Sequence, residues 1–135
     1  MIGLPFAGAL EINTTKTGRD TQVLHTFFQM EDGSFLAFFE DPNTPFEFKD
    51  QRDFDLHIAV EVAREHLEPM MARGKALGLE TRGISDHDFI DSIYFRDPNG
   101  YVIELTARRA GKENDVGHGD PQEILKRWTA AKRQK

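Results

Sequence analysis

The chain has 135 residues, a formal net charge of −6 at pH 7 and no cysteine. Without cysteine it can form neither disulfides nor a thiolate metal site, so any metal must be bound by histidine and carboxylate groups. The acidic balance disfavours a nucleic acid partner, and no apolar run approaches the ~20 residues that a membrane span needs. The composition therefore predicts a globular protein that is soluble and cytoplasmic.

The first part of the chain predicts strands without a helix. Residues 6–12 are apolar, and residues 23–40 contain two apolar runs separated by the turn sequence EDG, which is typical of a β-hairpin. Residues 41–53 are rich in proline and charge, and we interpret them as a linker.

The middle of the chain predicts a strand, a helix and a strand. Residues 54–62, FDLHIAVEV, alternate as a half-buried strand does, and this strand contains His57. Apolar residues at helical spacing predict a helix over residues 65–77, and Gly78 is placed to end it. Residues 79–83 are then predicted to form a short strand.

A second hairpin is predicted over residues 92–106, SIYFRDPNGYVIELT, with its turn at DPNG. The two-residue period of a strand places Glu104 on the same face as Val102 and Thr106. A carboxylate on an apolar strand must face solvent, pair with a cation or bind a metal, because an unpaired buried charge is too unfavourable.

The two predicted hairpins form an internal repeat with a period of 67 residues. The alignment places Phe27 over Tyr94 and Ala37 over Glu104. The same alignment places His25 over Ser92.

The repeat predicts the domain organisation. Residues 54–107 have the strand and helix order of a complete βαβββ module, whereas residues 1–53 lack the first strand and helix of such a module. Residues 108–135 form a C-terminal extension with a helix. The predicted fold class is α+β, with paired βαβββ modules that form a cupped mixed sheet.

The C-terminal helix is predicted from its cap and its apolar face. Asp120 is placed as the N-cap and Pro121 as the first helical residue. The helix is expected to dock through its apolar residues Ile124, Leu125, Trp128 and Ala131. The sheet edge left bare by the incomplete module predicts a homodimer, a segment exchange or cover by this helix, and each would bury Leu125 and Trp128.

The paired modules and the segments HIAVEV and SIYFRDPNGYVIELT resemble the vicinal oxygen chelate superfamily, which includes glyoxalases, bleomycin-resistance proteins and extradiol ring-cleaving dioxygenases. The resemblance covers residues 4–106. In this superfamily two modules surround a metal, and the ligands come from the first and last strands of a module. The resemblance thus implies that His57 and Glu104 are metal ligands.

Within the superfamily, HDFIDSIYFRDPNGYVIE resembles the extradiol dioxygenase signature from His87 onward, and only Ser85 departs from it. This resemblance implies Fe(II) as the cofactor and a catechol or dihydroxybiphenyl-type diol with O₂ as substrates. Tyr94 matches the position of a phenol that faces the substrate oxygen. His25, in the equivalent strand of the first copy, is expected to act as the acid or base.

Two alternatives stay open because the first module lacks the strand on which the family carries a further histidine ligand. That ligand is expected upstream of Met1 or on another chain, or it is absent. The first alternative is a glyoxalase-like enzyme of the lactoylglutathione lyase type with Ni, Zn, Mn or Mg, against which Ala37 counts. The second is a metal-free protein that binds a small molecule, of the bleomycin-resistance type.

Overall fold

The computed structural model describes residues 2–45, 47, 52–117 and 119–132. The chain divides into two compact units, Met1–Lys49 and Asp50–Lys135, and each contains one sheet. The α+β class predicted from the sequence is confirmed. Neither helix in the described ranges is long and apolar enough to cross a membrane.

The first unit contains a three-stranded antiparallel sheet. Its strands are β1 (Phe6–Thr14), β2 (Asp20–Gln29) and β3 (Phe35–Glu40), in the order β1-β2-β3. The β2–β3 hairpin turns at Gly33, whose φ of 85° suits glycine, and the Asp32 carboxylate accepts the Ser34 amide at 2.9 Å. Its described residues include no helix, as the incomplete first module predicts.

The second unit has the βαβββ order that the sequence predicts. Its elements are β4 (His57–Glu61), a 3₁₀ turn (Arg64–His66), α1 (Leu67–Ala76), β5 (Thr81–Asp86), β6 (Ile90–Arg96) and β7 (Val102–Arg108). The sheet order is β4-β7-β6-β5, with β4 parallel to β7 and the other pairs antiparallel. The first and last strands of the unit are therefore neighbours.

Two predicted strand boundaries are wrong, and turns explain both. The strand expected from residue 54 begins at His57, because the Asp55 amide donates to the Arg52 carbonyl at 3.0 Å and closes a turn before it. The strand expected over residues 79–83 begins later, because the Leu79 amide still caps α1 through a 3.1 Å bond to the Gly74 carbonyl.

One face of the second sheet is covered by α1. Leu67 of the helix is fully buried, as are Ile93 and Leu105 of the sheet, and Phe95 is almost fully buried. Burying each such side chain contributes about 1.5–3 kcal/mol, so this face forms the core of the unit. Alternate residues, including Glu104, lie on the opposite face.

The internal repeat is confirmed at the level of strand register. In the first unit Phe27 pairs with Ala37 across β2 and β3. In the second unit Tyr94 pairs with Glu104 across β6 and β7. The two hairpins thus have one register, and corresponding residues occupy corresponding positions.

The C-terminal helix α2 (Pro121–Lys132) is capped as predicted, but its apolar face is not buried. The Asp120 carboxylate accepts the amides of Gln122 at 2.8 Å and Glu123 at 3.3 Å. Leu125 is 59% exposed and Trp128 64% exposed. The expectation that the helix docks within its own chain is therefore wrong for these two residues, and self-association stays a prediction.

The contact between α1 and β6 predicts an unusual effect of Gly74→Ala. A glycine in a helix interior is ordinarily less favourable than alanine by about 0.8–1 kcal/mol. A Cβ at Gly74, however, would lie 2.3 Å from Cε1 of the buried Phe95 ring. We expect Gly74→Ala to lower the free energy of unfolding by about 1–3 kcal/mol, measured from urea denaturation midpoints.

The matched control is Ala72→Gly on the exposed side of the same helix. It should lower stability by no more than about 1 kcal/mol, since only helix propensity changes. An increased midpoint for Gly74→Ala would contradict the close approach of α1 to Phe95.

Candidate metal-binding site

His57 and Glu104 contact each other on the face of the second sheet that α1 leaves uncovered. Glu104 pairs with Ala59 across the parallel strands β4 and β7, and His57 precedes Ala59 by two residues on the same face. The His57 Nε2 atom lies 2.8 Å from the Glu104 Oε2 atom. Only 12% of the Glu104 side chain is exposed, so the carboxylate is largely withdrawn from water.

The other ring nitrogen of His57 determines how this contact is held. Nδ1 lies 3.1 Å from the backbone carbonyl oxygen of Asp53, and a carbonyl can only accept, so Nδ1 carries a proton. A lone pair on Nε2 facing an ionised carboxylate at 2.8 Å would be repulsive. The contact therefore requires either a proton on one of the two atoms or a metal cation bound to both.

The pair fits adjacent ligands of a divalent cation. Two neighbouring ligand atoms of an octahedral ion, each about 2.1 Å from the metal, lie about 3.0 Å apart. The observed separation of 2.8 Å is close to that value. An Nδ1–H donated to a backbone carbonyl is also the usual arrangement of a metal-binding histidine. Among the described residues, however, no group of three or more histidine and acidic side chains is arranged to bind a metal.

Tyr94 extends the site along the sheet. It lies directly opposite Glu104 on β6, and its ring is perpendicular to the His57 ring with centroids 6.1 Å apart. The Tyr94 hydroxyl lies 2.6 Å from Nε2 of His87, which follows β5. Four polar side chains from successive strands are thus brought together.

His87 is a residue of this cluster to which the sequence analysis assigns no role. Its contact with Tyr94 spans seven residues and depends on the turn that joins β5 to β6, where the His87 amide donates to the Ile90 carbonyl at 2.9 Å. The signal in the sequence was its place at the start of the signature that also contains Tyr94.

The environment of Tyr94 keeps its phenol protonated. Burial is the main effect that raises the pKa of Tyr94, and the Glu104 carboxylate adds to it, while the Ser92 hydroxyl and the Arg82 guanidinium oppose it. The Arg82 guanidinium carbon lies 5.6 Å from the Tyr94 ring centroid. At neutral pH Tyr94 is therefore a neutral hydrogen-bond donor.

His25 lies in the first unit, on β2. Its ring stacks on Phe39 with centroids 3.9 Å apart and also contacts Phe27 at 4.2 Å. The imidazole of His25 is thus packed against two aromatic rings. The assignment of His25 to the same site as Tyr94 stays a prediction.

Comparison with known proteins gives structural relatives. No protein-family model and no curated protein matches the chain. FosX, a fosfomycin resistance protein from Listeria monocytogenes solved with Mn(II) and sulfate, is 26% identical with a TM-score of 0.52, over 79% of this chain and 78% of that one. A glyoxalase family protein from Bacillus cereus is 21% identical with a TM-score of 0.59, over 79% of each chain.

The chain has the fold of these proteins, which is the fold of the vicinal oxygen chelate superfamily. The resemblance drawn from the βαβββ pattern is confirmed at this level. These structural relatives are fosfomycin resistance and glyoxalase family proteins, so a particular closeness to extradiol dioxygenases is not shown.

The raised pKa of Tyr94 gives a testable pH dependence. The folded state holds this proton more tightly than the unfolded chain, so the associated stability is present below the unfolded pKa of about 10 and is lost as pH rises through the folded value. Titration of tyrosine absorbance should show a high-pH transition that Tyr94→Phe removes. Glu104→Gln should move that transition to lower pH, because it removes the neighbouring negative charge.

The chain contains two tyrosines, so Tyr101→Phe is the matched control that leaves the Tyr94 transition in place. A Tyr94 transition below the ordinary tyrosine range would contradict the described environment of the phenol.

Proposed function

We propose that this protein is a divalent-metal-dependent enzyme of the vicinal oxygen chelate type that acts on a small substrate through two substrate oxygens. The observation that carries the proposal is the His57–Glu104 contact, whose 2.8 Å separation and histidine hydrogen bonding fit two adjacent metal ligands. FosX structures with Mn(II) support a divalent cation.

His57 and Glu104 would hold the cation through Nε2 and Oε2. A bound divalent cation supplies Lewis-acid polarisation of substrate oxygens. A further protein ligand has to come from outside the described side chains, and we propose a second copy of the chain as its source, in keeping with the predicted homodimer. Sedimentation velocity of metal-free and metal-loaded protein distinguishes this source from a segment of the same chain.

Tyr94 and His87 would donate protons to the substrate. Their 2.6 Å contact places one proton between the phenol oxygen and the imidazole nitrogen. A substrate oxygen next to Tyr94 can therefore receive a hydrogen bond or a proton from the phenol while His87 replaces it. Because the pKa of Tyr94 is raised, the proton is present at neutral pH.

The positive side chain beside Tyr94, that of Arg82, is paired with the carboxylates of Asp53 and Glu80, so the proposal of an anionic substrate rests on a structural relative. Arg82 is about half exposed and lies next to the Tyr94 ring. A 26% identical FosX mutant with a TM-score of 0.51, over 79% of this chain and 78% of that one, was solved with Mn(II) and 1S,2S-dihydroxypropylphosphonic acid. We therefore propose a small oxygenated substrate with a carboxylate, phosphonate or similar group.

The second candidate is ring cleavage of a catechol with Fe(II) and O₂. The observation that favours it is that His87 and Tyr94, both within the dioxygenase-like sequence, are hydrogen-bonded to each other. In this reaction His25 is the proposed acid or base, and a dihydroxybiphenyl-type diol is the proposed substrate.

A panel of reactions tests the two candidates. The full chain is loaded with Mn(II), Ni(II) or Zn(II), or with Fe(II) without air, and is assayed for opening of a phosphonate epoxide, isomerisation of a hemithioacetal and O₂ uptake with a catechol. We expect turnover of one of the first two. O₂ uptake and a yellow product with Fe(II) alone would instead favour ring cleavage.

Variants test the role of each proposed site residue in whichever of these reactions the protein catalyses. His57→Ala and Glu104→Ala should lose both bound metal and turnover, because each removes a proposed ligand. Tyr94→Phe should retain metal and lose roughly 10²–10⁴-fold in turnover, and Tyr101→Phe is its control. His25→Ala with an unaltered rate would remove His25 from the mechanism. Full activity of His57→Ala, or ligand binding without any metal, would contradict the proposed enzyme.

A further inference from the structure

Asp53 connects His57 to a pair of arginines. Its backbone carbonyl accepts the Nδ1–H of His57 at 3.1 Å. One oxygen of its carboxylate accepts a hydrogen bond from Arg82 at 2.7 Å, and the other accepts one from Arg96. Arg96 is itself fixed to the β6–β7 turn, because it also donates to the Gly100 carbonyl at 3.1 Å.

Among the described residues, the Asp53 carbonyl takes no part in the ladder of hydrogen bonds between β4 and β7, because β4 begins four residues later, at His57. Asp53 lies inside a turn that is closed by local bonds between Arg52 and Asp55. The orientation of the Asp53 carbonyl therefore depends on this turn and on the contacts of the Asp53 side chain.

The arginines also fix the direction of the Asp53 carboxylate. One guanidinium is bound to each of its oxygens, so the carboxylate cannot rotate freely. These contacts and the turn that contains Asp53 together restrict the rotation of the Asp53 peptide.

We infer that Asp53 is a positioning residue for His57: its carbonyl holds the ring with the proton on Nδ1, and its arginine-bound carboxylate holds that carbonyl in place. Nε2 is thereby directed at Glu104 and kept available for a cation. The expected effect of Asp53 on cation binding rests on the proposed function. The hydrogen bond from His57 Nδ1 to the Asp53 carbonyl does not require a metal.

Two measurements on the full chain test the inference. The first is nuclear magnetic resonance of the metal-free protein at mildly acidic pH, where the His57 Nδ1–H should give a resonance protected from exchange with water. The second is the affinity for Mn(II), measured by calorimetric titration. Asp53→Ala should remove the protection and weaken Mn(II) binding by roughly 10–100-fold, the usual effect of losing a hydrogen bond to a metal-binding histidine.

The matched control is Glu80→Ala. Glu80 contacts the same two arginines, at 3.1 Å from Arg96 and 3.8 Å from Arg82, but it does not contact His57. Glu80→Ala should leave both readouts within about twofold of the wild type. Asp53→Asn, whose side chain can still accept from one arginine, should lie between Asp53→Ala and the wild type, and it replaces Asp53→Ala if that variant does not fold.

Equal losses in the Glu80 and Asp53 variants would overturn the inference, because the effect would then belong to the arginine network as a whole. Unchanged protection of the His57 proton in both Asp53 variants would overturn it as well. Protection that depends on Asp53 in a wild type that binds no Mn(II) would uphold the positioning role and contradict the proposed function.

Discussion

The parallel pairing of β4 with β7 is the constraint on which the site depends. His57 and Glu104 are 47 residues apart, and no local feature of the chain brings them together. The βαβββ order does so, because the crossover through α1 returns the chain and the final hairpin then lays β7 beside β4. Register determines the rest, since a shift by one residue would turn Glu104 into the core under α1. An ionised carboxylate there would be strongly unfavourable without a partner.

The two copies of the hairpin have one register but different surfaces. The face that carries Glu104 and Tyr94 in the second unit corresponds to the face that carries Ala37 and Phe27 in the first. There the ring of His25 lies among aromatic side chains and has Phe39 stacked on it. The two units thus share one hairpin register, and the pair Tyr94–Glu104 of the second unit has the apolar counterpart Phe27–Ala37 in the first. The first unit instead presents apolar surface suited to contact with an apolar group.

Local patterns in the sequence were sufficient for the hairpins, the end of α1 at Gly78 and the face of Glu104. These features depend on residue period and turn chemistry, which act over a few positions. The start of β4 and the exposed face of α2 were predicted less well. The first depends on a turn closed by Arg52 and Asp55, and the second depends on which surface is available to cover an amphipathic helix.

The contacts that surround the candidate ligands could not be predicted. The His87–Tyr94 bond needs the shape of the β5–β6 turn, and the bond from His57 to Asp53 needs the turn that precedes β4. The signature resemblance identified which residues to consider, but it did not show how they are held. The structure shows how these residues are held, through side-chain contacts that the hydrophobic period of the sequence does not encode.

We propose that the His57–Glu104 contact is a site for a divalent cation, and anomalous X-ray scattering from crystals soaked in Mn(II) can show whether a cation binds there. We expect a manganese peak within coordination distance of both His57 Nε2 and Glu104 Oε2, with the bond from His57 Nδ1 to the Asp53 carbonyl retained. Manganese bound elsewhere, or a crystal saturated with Mn(II) in which the two side chains still contact only each other, would contradict it.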